Sequence, residues 1–126
     1  MGDLLDYGFP TRLFVEWSVS GSGMVTLRHQ KTMGSFEKFI FRIFRAPKMI
    51  YRPLDEMNSQ LWLLMDGTRN FRQIVIEMDG QFKEKIAPAG ERISKSISNF
   101  IRLGFVGIVA NASEIDWSIA PTEFNQ

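Results

Sequence analysis

The chain has 126 residues, 44% of them hydrophobic, which is enough to fill the core of one domain. Its 15 Lys and Arg against 14 Asp and Glu leave a net charge of +1, without the basic excess that neutralising phosphates demands, so nucleic acid is not the expected partner. The lack of cysteine excludes disulfides, thiolate metal sites and a cysteine nucleophile, and it is compatible with a reducing cytoplasm.

The first twenty residues carry no basic start followed by an apolar run, and no stretch approaches the roughly eighteen apolar residues of a membrane span. A soluble cytoplasmic chain without a transmembrane segment is expected. Residues 1–12 are broken by Asp and Pro and read as a loose N-terminal arm that Leu4, Leu5, Tyr7 and Phe9 could pin. Val15, Trp17 and Val19 then alternate with Glu16 and Ser18, and Val25, Leu27 and His29 alternate beyond Ser20-Gly21-Ser22-Gly23. This period of two around a glycine turn predicts a β-hairpin.

Over residues 34–46 the period changes. Phe36, Phe39, Ile40, Ile43 and Phe44 fall at helical spacing with Lys38, Arg42 and Arg45 between them, predicting an inserted basic amphipathic helix that ends at Pro47. Its stripe suits either the bare face of the sheet or a docking surface for an enzyme, a second copy in a homodimer or a membrane surface. Met49-Ile50-Tyr51-Arg52 is a short β-prone run closed by Pro53, whose missing N–H belongs at a strand end or sheet edge.

Three helices are predicted across a helical core of residues 54–109. The first carries Met57, Leu61 and Leu64 and stops at Asp66-Gly67. The second is capped by Thr68 or Asn70, carries Phe71, Ile74, Val75 and Met78, and stops at Asp79-Gly80. The third starts near Pro88, buries Ile93, Ile97, Phe100 and Ile101, and turns Arg92, Lys95, Ser96, Asn99 and Arg102 away from that stripe. Gly104 ends it, and residues 105–109 read as an apolar strand, half of a wing with residues 116–119. The fold class expected is α+β: a winged helix-turn-helix with an N-terminal hairpin plus third strand, a three-helix bundle and a C-terminal strand or wing, in a single domain over 1–126.

Catalytic chemistry is hard to assemble from these residues. His29 is the only histidine, so neither a histidine triad nor a multi-histidine metal site can form within one chain. Asp55 and Glu56 are adjacent and suit a helix N-terminus better than a catalytic pair. Gly21 and Gly23 lack the lysine of a phosphate loop. Trp17, Trp62 and Phe100 each sit on the apolar side of their element and read as core. No enzyme activity, cofactor or metal is expected.

The ordered set Pro53-Leu54-Asp55-Glu56, Leu61-Trp62-Leu63-Leu64-Met65-Asp66-Gly67, Phe71-Arg72-Gln73-Ile74-Val75, Pro88-Ala89-Gly90-Glu91-Arg92-Ile93 and Leu103-Gly104-Phe105-Val106 resembles the PqqD family, the RiPP recognition elements. It departs from that pattern at Asn58, at Asn70-Phe71 and in the helix between the second and third strands. The resemblance implies a non-catalytic peptide chaperone of the kind used in coenzyme PQQ biosynthesis. Such a chaperone binds the leader of a ribosomally made precursor peptide and presents it to a radical SAM or other peptide-modifying enzyme. The implied peptide site is an edge at Met49, Ile50, Tyr51 and Arg52 facing Arg92, Lys95, Ser96 and Asn99, with Phe39, Arg42 and Arg45 docking the partner. The alternative expectation is a winged-helix DNA-binding regulator whose third helix enters the major groove with Arg92, Lys95, Asn99 and Arg102. Pro53 also has a plainer use, protecting an edge from pairing at all.

Overall fold

The computed structural model describes residues 8–30 and 49–122, and the predicted helix over 34–46 lies outside them. The described elements run in the order β1 (Phe9–Arg12), β2 (Glu16–Val19), β3 (Val25–Gln30), β4 (Met49–Pro53), α1 (Glu56–Leu64), α2 (Phe71–Phe82), a 3-10 turn (Lys83–Ile86), α3 (Ala89–Arg102) and β5 (Val106–Val109), closed by a 3-10 turn at Ala112–Glu114. The chain is therefore mixed α+β, with three helices and two small antiparallel sheets among the described residues.

The first sheet has the order β2-β3-β4. Trp17 pairs with Leu27 and Val19 with Val25 across the predicted hairpin, whose turn Gly23 closes at a φ of +86°. Trp17, Val25 and Leu27 point from this sheet into a core shared with Leu61 and Trp62 of α1, Ile74 and Met78 of α2, and Ile93, Ile97 and Phe100 of α3. The three aromatic residues read as core meet edge to face, Trp17 on Trp62 at 6.2 Å and Trp62 on Phe100 at 5.6 Å. Edge-to-face contact sets the positive rim of one ring against the negative face of another.

Local signals account for the helix ends. Asp55 caps α1 by accepting from the Asn58 N–H, and Asn70 and Gln73 form a reciprocal capping box at α2. The second helix runs past the stop predicted at Asp79-Gly80. Gly80 is exposed within it, and the extra turn brings Phe82 into the core at 8% exposure, a tertiary gain that outweighs the poor helix propensity of one glycine.

The strand at Val106–Val109 is present, but its partner is not the segment 116–119, which forms no strand. Phe9–Arg12, placed by sequence in the loose arm, pairs with it as β1, from Phe9↔Val109 to Arg12↔Val106. Pro10 disguises this strand. The Pro10 carbonyl accepts from Gly67 N–H and the Arg12 N–H donates to the Met65 carbonyl. The backbone groups of residues 10 and 12 thus face the turn after α1, and the missing proline N–H removes nothing from the ladder with β5. Gly67 has a φ of +83°, a conformation that favours glycine, and a Cβ there would stand 2.5 Å from Ile115 Cδ1, so the end of that side chain would have to shift.

Arg12 is buried at 7% exposure and ties four parts of the chain together. Its Nη1 donates to the carbonyls of Trp62 and Leu63 at 2.8 and 3.2 Å, its Nε donates to the Ile119 carbonyl at 3.1 Å, and its guanidinium lies 4.9 Å over the Trp17 ring. Residues 116–119 are held by these side-chain bonds and by Trp117 Nε1 donating to the Arg12 carbonyl, in place of a strand ladder. Partial desolvation pushes the Asp66 carboxyl up, but hydrogen bonds from the Thr68 hydroxyl and N–H, with Arg69 and Arg12 nearby, outweigh it and leave its pKa below its ordinary value.

Replacing Arg12 with Leu takes a donor from three carbonyls, leaving those of Trp62 and Ile119 with the Met65 N–H and Trp17 Nε1 alone, and should destabilise the fold by about 2–4 kcal/mol, measured by urea denaturation. Because the Asp66 pKa is lowered in the folded state, its contribution is present above the unfolded carboxylate value of about 4 and is lost as pH falls through the folded value. Urea midpoints measured from about pH 6 down to about pH 3 should therefore fall less steeply for Asp66→Asn than for the wild type.

Candidate functional site

Among the described residues β4 is the last strand in the order of its sheet, and its register sorts the four predicted edge residues onto two faces. Arg52 lies opposite Leu27 and Ile50 opposite His29, so Ile50 and Arg52 share the helix-facing side with the core residues of β3. Tyr51 lies opposite Arg28 and Met49 opposite Gln30, on the other side, where Arg28 also pairs with Glu16 at 2.6 Å. The four residues expected at the edge thus alternate between the two faces, as the pleat of any strand demands.

The corner between β4 and α1 is fixed by Ser59, buried at 1% exposure. Its Oγ accepts from the Val25 N–H at 2.8 Å and donates to the Leu54 carbonyl at 3.3 Å, while the Leu54 N–H donates to the Val25 carbonyl. One hydroxyl thus satisfies a buried strand donor and the end of β4 together, setting the angle at which the edge strand meets the helices.

Residues of α3 and of the turn after it share surface depressions with residues at the two ends of β4. Past the end of the strand, Asp55 opens onto a cleft of about 320 Å³ walled by Met57, Leu61, Met78, Ile86 and Ile93 and rimmed by Asn58, Arg92, Lys95 and Ser96. At the start of the strand, Met49 shares a depression with His29 and with Leu103, Gly104 and Phe105, just past α3. Asn99 lies with Lys95, Ser96, Ser98 and Arg102 in a shallow depression on the outer side of the same helix. All four predicted α3 residues therefore line surface depressions, with Arg92, Lys95 and Asn99 exposed and Ser96 half-buried.

Two of these groups are held by local bonds. Arg92 Nη1 donates to the Lys85 carbonyl at 2.7 Å, and Arg102 Nη2 donates to Asn99 Oδ1 at 2.6 Å. Across the sheet, Arg52 Nε donates to His29 Nε2 at 3.3 Å, and the imidazole rests 4.8 Å from the Phe105 ring. This arrangement makes Nε2 the acceptor and gives the ring proton to Nδ1, which lies 3.0 Å from the Gln30 carbonyl. The histidine is thus packed and hydrogen-bonded.

Sequence reasoning did not find the cleft, because Met78 and Ile86 come to it from the far ends of α2 and the turn after it. It also passed over Ser59, whose only signal was a small polar residue on the buried side of a helix. Phe39, Arg42 and Arg45, expected to dock a partner, lie outside the described residues. Among the described residues no three His, Cys, Asp or Glu side chains are placed to hold a metal, and no helix is long and apolar enough to cross a membrane. The chain matches no protein-family model, no curated protein and no solved structure.

Ser59→Ala leaves the buried Val25 N–H without its acceptor and should cost about 1–3 kcal/mol in urea denaturation. Lys95→Ala and Asn99→Ala, both at exposed positions on α3, should stay within about 0.5 kcal/mol of the wild type.

Proposed function

We propose that the chain is a non-catalytic peptide-binding module of the PqqD kind, working in the cytoplasm. In this reading its three helices and β5 form a winged helix-turn-helix, and it holds the leader of a ribosomally made precursor peptide for a modifying enzyme of the radical SAM or another class. The peptide adds a strand beside β4 and lays alternate side chains against α3. One observation carries this reading: the two edges of the β2-β3-β4 sheet are treated differently. At β2 the chain's own C-terminal segment comes in, with the Thr122 N–H donating to the Trp17 carbonyl at 2.6 Å and Trp17 Nε1 donating to the Ile119 carbonyl. β4 ends the sheet order of the described residues; beyond its last residue Asp55 shares a cleft with Arg92 and Lys95 of α3, and at its first residue Met49 shares a depression with residues 103–105 just past that helix.

A winged-helix DNA regulator would use the same Lys95, Asn99 and Arg102. The net charge of +1 favours a peptide over a phosphate backbone, because non-specific DNA affinity comes mainly from neutralised phosphates.

The test is a titration of the ¹⁵N-labelled chain with a precursor peptide encoded beside its gene. Amide shifts confined to Met49–Arg52 and to α3 around Lys95 are expected, with no gel shift of random duplex DNA at low salt. A DNA shift that fades with salt, together with silent β4 amides, would replace the peptide reading by the regulatory one.

A further inference from the structure

Residues 115–122 reach the β2 edge in the manner of an extended guest. Ile115, Trp117 and Ile119 are half-buried while Asp116, Ser118 and Ala120 are exposed, a period of two without a strand ladder. The Ile119 carbonyl accepts from both Arg12 Nε and Trp17 Nε1, each at 3.1 Å, and Trp117 Nε1 donates to the Arg12 carbonyl at 2.9 Å. The Trp117 ring packs 5.5 Å from that of Phe14, and the Ile115 side chain covers Gly67. Among the described residues, the bond from the Thr122 N–H to the Trp17 carbonyl is the one backbone bond between this segment and β2, and Pro121 before it has no N–H to add another.

The segment is separable from the rest of the fold. None of the described residues past Val109 belongs to the main core. The link from β5, residues 110–114, is exposed throughout, and its 3-10 turn is bonded within itself. If the segment lifts, Arg12 keeps its Nη1 bonds to the Trp62 and Leu63 carbonyls and gives only Nε to water. Lifting uncovers the donors Arg12 Nε and Trp17 Nε1 and the carbonyls of Arg12 and Trp17, beside a Phe14 ring that is already exposed.

We propose that residues 115–122 are an autoinhibitory strap over a second strand-accepting site. When the strap lifts, the β2 edge takes an extended segment of a partner protein that repeats the strap's own pattern, an aromatic residue followed two positions later by an aliphatic one. The partner's aromatic ring replaces Trp117 against Phe14, and the carbonyl of its aliphatic residue replaces that of Ile119 between the two donors. A charged side chain at either inward position would lose its hydration without replacement, so the inward positions are uncharged. The tether from β5 gives the strap a high local concentration, which keeps the site closed to guests without this fit. This site lies on the opposite edge of the sheet from β4 and does not depend on what β4 binds.

The experiment uses the full ¹⁵N-labelled chain, read by native-state hydrogen exchange and by amide shifts. The Trp17 indole N–H and the Thr122 amide should exchange about a hundredfold or more faster than the core amides of α1 and α3, because the strap opens while the core stays closed. In Trp117→Ala the Trp17 indole should exchange about tenfold faster still, with the α1 and α3 amides unchanged. A synthetic peptide with the sequence of residues 115–122, capped at both ends, should bind this variant and shift the Arg12 and Trp17 amides. It should bind the intact chain about tenfold or more weakly, since the strap competes. The same peptide with serine at the positions of Trp117 and Ile119 should bind neither. If Trp117→Ala does not fold, Thr122→Pro, which removes the backbone donor alone, is tested in the same way. A Trp17 indole that exchanges at the rate of the core amides makes the strap an integral part of the fold and overturns the proposal, as does a peptide that leaves Arg12 and Trp17 unshifted in the variant. Self-association of the variant that the peptide fails to reverse assigns the edge to a second copy, and overturns it too.

Discussion

A buried guanidinium organises this molecule. Arg12 lies under the C-terminal segment with its charge removed from water, and burial lowers its pKa while Asp66 raises it. A buried charge is tolerable only when its hydrogens are met, and here they are met by carbonyls that need donors. Trp62 and Leu63 lie at the C-terminal end of α1, where carbonyls run short of helical N–H partners and the helix dipole is negative, and the Trp62 carbonyl takes Arg12 in addition to the Met65 N–H. Ile119 offers a third carbonyl, and the Trp17 ring presents its negative face. A lysine could not serve all of these, since a single ammonium has neither the planar fork nor the reach in two directions. Both sheets, α1 and the C-terminal segment are registered on one side chain.

That arrangement explains why the helical and hairpin elements were legible in the sequence and the closure of the chain was not. Periodicity reports which face of an element is apolar, so Trp17, Trp62, Phe100, Ile74, Met78 and Ile97 could be assigned to the core from spacing alone. Caps report through short-range chemistry, and Asp55 and Asn70 act as their neighbours in sequence imply. Arg12 carries no such signal. A single arginine after a proline reads as an exposed arm, and only contacts reaching 50 and 107 residues along the chain make it interior. β1 was hidden with it, because its proline is harmless only in the register that Gly67 and Met65 impose.

The candidate site divides in the same way. Met49 to Arg52 could be placed at a sheet edge from one proline, and the outward residues of α3 from its buried stripe. What spacing could not supply was which of the four edge residues share the face of the sheet that carries the core, since that depends on pairing with β3 and on the corner that Ser59 holds. The cleft was further out of reach. Its walls come from α1, α2, the 3-10 turn and α3, and no local pattern encodes where four elements leave a gap.

Edges of small sheets must be satisfied or guarded, and the chain's two solutions differ physically. At β2 the guard is intramolecular, and its effective concentration is fixed by the tether from β5 and by the bonds to Arg12 and Trp17. An intermolecular guest would have to displace all of these together. At β4 the sheet order ends with Pro53, which blocks continued pairing past one point but leaves the strand before it intact. A proline placed there limits the length of any added strand without forbidding it. On the proposed reading, pairing along β4 is blind to sequence, and any preference for one peptide over another has to come from side chains that reach past the ladder.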